Sequence, residues 1–427
     1  MTDADGTTRE ERGASEASAP GSRAGRGATR EDLPLADLTV VELGNIVAGP
    51  FAGQLLADMG ADVVKVERPG RGDVLRALGE TGDAMFAALN RNKRSITLDL
   101  KSEAGVEALH DLVAAADVFV ENLGRGVAER LGVGYDDLSA ANPGLVYLSI
   151  KGFQKGPYGD RAGMDVVAEA MSGLMSVTGE PGRQPVRVGT SIADMGAAMY
   201  GVLGVMVALR ERERTGEGQR VEGTLFEAAA HWMGYWTTYA DLLGEDPEPL
   251  GASHPSWGLY DVFETDGRWL FVGVTTERHW PAFCRAVDAE DLVADERFDT
   301  AAKRRERKAE LKEVVADRLA GRDRETLLDA LHEEGVPAAP VNRPSDLLDD
   351  PGLSEAGVLA RFTAESGGET HELQSTLTPV FGDGFGPGQY RDPPGLGEHT
   401  AETLRERGAS EERIADLRER GAFGDGE

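Results

Sequence analysis

The sequence predicts an α/β protein: a doubly wound, mostly parallel sheet in a large domain, followed by a smaller α+β domain. Three observations predict it. Strand-like runs alternate with helical patterns over residues 38–152. Helical patterns dominate after Gly152. Two alternating runs around Thr265, Asp266 and Gly267 then read as a β-hairpin.

Each element follows from local pattern. A strand is predicted at Leu38–Leu43, a helix near Pro50–Met59 and a strand at Asp62–Glu67. The run SITLDL (Ser95–Leu100) alternates apolar and polar residues, as a strand does. Ser102 is a suitable N-cap for a helix over Ser102–Ala116, because its hydroxyl accepts a first-turn N–H and acidic residues follow it. Asp117–Asn122 and Leu145–Gly152 read as further strands. Helices are then predicted over Val166–Val177, Met195–Arg214 and Leu225–Leu243. The run Met195–Arg210 is apolar all round, which fits a helix buried within a protein, and it falls short of the roughly 20 residues that span a bilayer. The hairpin occupies Leu259–Val274, and helices are predicted at Glu277–Val287, Ala301–Leu319 and Arg324–Glu334. The proline-rich GVPAAPVNRP (Gly335–Pro344) reads as an extended linker. The rest is short on regular pattern and ends in an amphipathic helix at about Glu398–Arg407.

Composition narrows the function. The chain of 427 residues is long enough for a sizeable core and for two domains. Residues 1–32 hold almost no apolar side chains and cannot offset their ordering entropy, so a disordered tail is expected there, with no secretory signal. Seventy-five acidic residues against 45 basic ones leave a net charge of −30, a field that repels nucleic acid and anionic lipid. The acid is dispersed and the basic residues are mostly Arg, which points to surface adaptation to a salty cytoplasm. The single cysteine, Cys284, excludes an internal disulfide and a multi-cysteine zinc site and suits a reducing cytoplasm; no metal centre is expected.

The opening βαβ unit raises the question of a ligand. Its glycines, Gly44, Gly49 and Gly53, are spaced G-x4-G-x3-G rather than G-x-G-x-x-G, which weighs against NAD or FAD. No G-x4-G-K-[ST] loop is present. A strand feeding a helix start still places backbone N–H groups in a crevice. Arg68, Arg71, Lys93 and Arg94 lie at the ends of neighbouring elements, where they either meet phosphates or stand as solvated turn residues.

The stretch LTVVELGNIVAGPFAGQLLADMGADVVKVERPGRGD (38–73) resembles the opening of the family III CoA-transferases (CaiB/BaiF), the group of formyl-CoA and carnitine CoA-transferases and α-methylacyl-CoA racemase. LNRNKRSITLDL, VENLGRGVAERLG, NPGLVYLSIKGF, ERTGEGQRVEGTLFEA and GVPAAPV are similar to successive blocks of that family, over Leu38 to Val341. The resemblance implies a Rossmann-like domain that binds coenzyme A as part of a substrate, with no permanently bound cofactor. It also implies an interlocked homodimer. The large domain would comprise residues 33–228 and 345–427, with the small domain at 251–332 between linkers at 229–250 and 333–344. The partners would be an acyl-CoA and a small carboxylate.

By the same resemblance Asp194, in VGTSIADMGAAMYG, is the nucleophile. A carboxylate that attacks a thioester conserves its energy as an anhydride and then as an enzyme–CoA thioester. An ordinary Asp, with a pKa near ~3.9, is ionised at neutral pH without tuning. Without the resemblance, the same Asp reads as a plain N-cap. Asp165, in RAGMDVVAEAMSGLM, is the second catalytic candidate, orienting the site or capping its helix. Coenzyme A contacts are implied at Val47, Ala48, Arg68, Leu98, Asn122, Leu123, Arg130, Leu131 and Leu225, with the arginines facing phosphates; for the leucines, sheet-edge packing is the alternative. Racemase chemistry needs an acid and a base at fixed places. Met164 replaces the family's racemase histidine, and Thr276 stands at the likely glutamate position with Glu277 one place on. LGASHPSWGLYDVF lacks the glycine run of formyl-CoA transferases, and His254, Trp257 and the Arg187 region are left to shape an acceptor pocket. The expected activity is CoA transfer to a small acid such as succinate or mesaconate. The alternatives are an acyl-CoA racemase and a CoA-binding protein without turnover.

Overall fold

The computed structural model describes residues 29–424. Residues 1–28 of the expected tail lie outside the described residues. Arg30–Asp32 already form a 3-10 turn, whose Arg30 guanidinium donates to the carbonyls of Ala36 (2.7 Å) and Gly60 (3.2 Å).

The strands β1 (Thr39–Leu43), β2 (Asp62–Glu67), β3 (Arg94–Thr97), β4 (Val118–Glu121), β5 (Val146–Lys151) and β6 (Arg220–Thr224) form one sheet in the order β3-β2-β1-β4-β5-β6. Every pair is parallel. That is the order of doubly wound dinucleotide-binding sheets, with both faces covered. β6 was not expected. RVEGT has little strand propensity, and packing decides its state: a Cβ on Gly223 would lie 2.7 Å from the Ala197 carbonyl, so only glycine lets β6 approach the neighbouring helix.

Successive side chains on a strand point to opposite faces. Val41, Val64, Ile96, Phe119 and Tyr147 pack beneath α3 (Glu103–Val113) and the C-terminal helices Thr400–Glu406 and Glu411–Glu419. Val40, Val63, Val118, Val120 and Leu148 pack beneath α1 (Ala48–Asp58) and the helices Ile192–Thr215 and Leu225–Trp232. Ser102 caps α3 as expected, its Oγ accepting the Gly105 N–H at 2.9 Å.

The Ile192–Thr215 helix corrects two expectations. Its 24 residues are long and apolar enough to cross a bilayer by length and composition. It is also not buried all round. Ala197, Ala198, Gly201, Val205 and Ala208 face the sheet, while Met199, Leu203, Met206 and Val207 are exposed on the other side. Three predicted helices are each broken: Gly173, at φ +88°, separates Asp165–Met171 from Leu174–Val177, Leu225–Trp232 is separate from Gly234–Leu243, and Ala301–Glu306 is separate from Lys308–Leu319.

β7 (Tyr260–Glu264) and β8 (Trp269–Gly273) form the expected hairpin, and β9 (Ala338–Pro340) adds to its edge. Gly335–Pro344 is therefore partly strand; its prolines are tolerated because an edge strand leaves one side unpaired. Helices His279–Ala286, Lys308–Leu319 and Arg324–Glu333 close a separate core on this sheet. A second hairpin, β10 (Leu359–Ser366) and β11 (Glu369–Thr376), turns through Gly367 and Gly368, both at positive φ. Its Ala360 and Phe362 pack on Ala87 of α2 (Gly79–Asn90).

Candidate active site

The strand order reverses between β1 and β4, which opens a crevice at their carboxyl ends. Two glycines make the first turn tight: a Cβ on Gly49 would sit 2.9 Å from Gly44 Cα and 3.0 Å from Asn122 Oδ1. The Asn122 amide bridges the switch point, accepting the Asn45 N–H and donating to the Asn45 carbonyl, each at 2.9 Å. Ile46 stands at φ +64°, a strained backbone for a β-branched residue. The strain is held: the Ile46 N–H donates to Asp73 Oδ1 at 3.1 Å.

Beneath this turn lies a buried charge cluster. Lys65 Nζ meets Asp73 Oδ2 (2.9 Å), Glu42 Oε1 (3.0 Å) and the Gly44 carbonyl (2.8 Å). Lys93 Nζ meets Glu42 Oε2 (2.7 Å), the Pro50 carbonyl (2.7 Å) and Asn90 Oδ1 (2.9 Å). Burial opposes the charge on Lys65, but Glu42 and Asp73 outweigh it and raise its pKa. For Lys93 burial wins over Glu42 and lowers the pKa to about 8. Lys93 is thus structural, not a phosphate contact. Arg94 sits at the amino end of β3, away from the crevice, paired with Asp62 and Glu406. Arg68, Arg71 and Arg130 remain: all three are exposed, follow the carboxyl ends of β2 and β4, and have no carboxylate partner among the described residues.

Asp194 lies in the first turn of the Ile192–Thr215 helix, half-buried. It is not the N-cap, a position held by Ser191, and no donor among the described residues reaches its carboxylate. Asp165 takes the cap's work from a neighbouring helix, its Oδ1 accepting the N–H groups of Ala193 (2.8 Å) and Asp194 (3.3 Å). Arg187 Nη2 stands 3.4 Å from Asp165 Oδ2. Burial raises the Asp194 pKa to about 7; Asp165 pushes the same way and Arg187 opposes. The expectation of an untuned carboxylate therefore fails, because desolvation and a like charge act together.

A family model described as CoA-transferase family III matches residues 35–400.

The chain belongs to CoA-transferase family III. It is 36% identical over 385 residues to a succinate–glutarate CoA-transferase of Agrobacterium fabrum, covering 87% of this chain and 95% of that one. It is 36% identical over 387 residues to a succinyl-CoA:mesaconate CoA-transferase of Haloarcula hispanica, covering 88% and 96%. A crystal structure of a CaiB/BaiF family protein from Brucella suis superposes with a TM-score of 0.81 at 34% identity, covering 88% of this chain and 99% of that one.

In this CoA-transferase the residues implied for coenzyme A divide by burial. Arg68 and Arg130 are exposed, and Asn122 is tied to the turn. Val47 and Ala48 bury their side chains, Val47 against Leu75 and Phe86, so they offer a ligand only main chain. Leu98 and Leu225 are buried in the two sheet cores, and Leu123 and Leu131 pack on the α3 side. The racemase pair does not form: Met164 is exposed, and Glu277 is held by Arg304 (2.8 Å) and the Ala301 N–H (3.1 Å). The His254 ring lies tilted against Trp257, with ring centroids 4.4 Å apart, and borders a cavity of about 650 Å³ flanked by Lys308 and Lys312. Sequence reasoning missed Glu169, which sits on the Asp165 helix at i+4; helical spacing from Asp165 was the available signal.

Proposed function

We propose that this CoA-transferase moves CoA from a dicarboxylyl-CoA such as succinyl-CoA to a small dicarboxylic acid, with Asp194 as the covalent nucleophile. The observation that carries the reading is the Asp194 carboxylate: half-buried, reached by no hydrogen-bond donor among the described residues, and raised to about 7. A desolvated carboxylate is basic and poorly stabilised, and acylation removes its charge. Asp194 attacks the donor thioester and releases CoA thiolate, leaving a mixed anhydride. The thiolate attacks the aspartyl carbonyl and releases the donor acid, leaving an enzyme–CoA thioester. The acceptor carboxylate then enters and the two steps run in reverse. Asp165 holds the first turn of the helix so that Asp194 keeps one position. Arg187, half-exposed beside Asp165, is the cation available to an acid substrate.

Arg68 and Arg130 serve the CoA phosphates, as cations beside a crevice with no carboxylate partner among the described residues. The dicarboxylate preference is supported by the names of the Agrobacterium and Haloarcula relatives. The exposed stripe Met199, Leu203, Met206 and Val207 supports a homodimer in which a second copy covers it. The buried, unpaired Cys284 is consistent with a cytoplasmic setting.

Exchange of labelled succinate into succinyl-CoA tests the activity. Hydroxylamine trapping with peptide mapping tests the nucleophile. The reading of Asp194 is wrong if the adduct maps elsewhere, or if folded Asp194→Ala protein turns over at the wild-type rate.

A further inference from the structure

Glu169 lies one helical turn beyond Asp165 and is fully buried. Its Oε2 accepts the Val188 N–H at 2.8 Å, which tethers the loop leading into the Asp194 helix. Its Oε1 is shielded from solvent, and no donor among the described residues reaches it. Asp165 stands one turn earlier on the same face of that helix, and its carboxyl acts on the buried Glu169 side chain. Two carboxylates cannot bond each other; a carboxylic acid and a carboxylate can, through one proton. Asp165 already acts as an acceptor, toward Ala193 and Asp194, with Arg187 beside its second oxygen. The proton therefore belongs on Glu169.

We infer that Glu169 is a positioning residue that stays protonated, donates its O–H to Asp165, and so holds the Asp165 cap under Asp194 without adding a negative charge. The inference rests on the reading of Asp194 as nucleophile and concerns how that residue is held. Burial raises the Glu169 carboxyl above its ordinary range; Asp165 adds to this, while the Val188 N–H and Arg187 oppose. The surrounding elements bring few other charges. The Leu174–Val177 helix has no titratable group, and the Ile192–Thr215 helix contributes Asp194. On the Leu225–Trp232 helix, Glu227 accepts the Gln154 N–H and His231 packs on Tyr200. A third anion here would push Asp194 further from ionisation. A glutamine has the shape of a protonated glutamate, and can accept from Val188 while donating to Asp165.

The test compares Glu169→Ala with Glu169→Gln in the full-length protein. Glu169→Ala is expected to lose kcat by roughly tenfold or more, the scale of a misplaced catalytic group, with KM for acyl-CoA little changed. Glu169→Gln should recover it, with the acid limb of the kcat/KM profile at its wild-type midpoint. Infrared spectra read the proton directly: Asp194→Asn protein should show a protonated-carboxyl band near neutral pH that is missing from the Asp194→Asn/Glu169→Gln double variant. Absence of that difference, or an acid limb displaced to lower pH by Glu169→Gln, overturns the inference, since either means that Glu169 is an anion. Failure of the nucleophile reading would appear separately, as wild-type protein trapped on a residue other than Asp194.

Discussion

Replacing Asp194 by asparagine should abolish transfer and stabilise the protein, and the stabilisation should depend on pH. The native carboxyl is raised from 3.8 to about 7. Each unit is worth about 1.4 kcal/mol, so the ionised form costs the native state at most about 4 kcal/mol. Below about pH 4 both native and unfolded chains hold the proton, and the residue costs nothing. Between about pH 4 and 7 the native protein holds a proton that the unfolded chain has released, so stability falls as pH rises through this window and stays low above it. Asparagine has the same shape and no titration. Denaturant unfolding at fixed protein concentration should show Asp194→Asn more stable than wild type by up to about 4 kcal/mol at pH ~8, with the gap closing toward pH ~4. Transfer activity should fall by roughly a thousandfold or more, the scale of losing a covalent nucleophile. If wild type and variant unfold at the same denaturant concentration at both pH values, the carboxylate is not desolvated and the account of its reactivity fails.

Three other outcomes are expected. Arg68→Gln and Arg130→Gln should each raise KM for acyl-CoA by about tenfold, the loss of one charge-assisted hydrogen bond of roughly 1.5 kcal/mol, with kcat unchanged; a loss confined to kcat would remove them from phosphate binding. Gly53→Ala would place a Cβ 2.1 Å from Glu42 Oε2 and 3.2 Å from Lys93 Nζ, and should destabilise by about 3–5 kcal/mol as the buried pair is forced apart; a melting temperature equal to wild type would show that the cluster yields without cost. Leu203→Glu combined with Val207→Glu should weaken self-association in sedimentation velocity, and an unchanged mass would place the dimer contact elsewhere.

Some of the site was legible in the chain and some was not. Asp194 stands where a helix begins after a glycine-containing loop, and the apolar run beyond it marks that helix in any reading. Nothing local indicated that its first-turn N–H groups would be taken by Asp165, 28 and 29 residues away. Lys93 and Arg94 looked like the exposed arginines because residue type and turn position are all that a sequence displays. Their partners, Glu42 and Asp62, lie 51 and 32 residues away, on other strands. The strand β6 and the edge strand β9 were missed for the same reason: their own residues favour no state strongly, and the neighbouring strand decides. The β10–β11 hairpin was missed as well, although alternating Ala360, Phe362 and Ala364 leading to two glycines were a local signal for it.

By itself, then, the sequence determined the parallel sheet, its capped helices and the kinship to CoA-transferases, since periodicity, caps and ordered motif blocks are properties of neighbouring residues. The tertiary structure alone decided which charges are buried and paired, which arginines are left for a ligand, and how far the Asp194 carboxyl is moved from its ordinary ionisation. Those quantities depend on the distance between side chains remote in the chain and on the water excluded between them, and neither exists until the chain has folded.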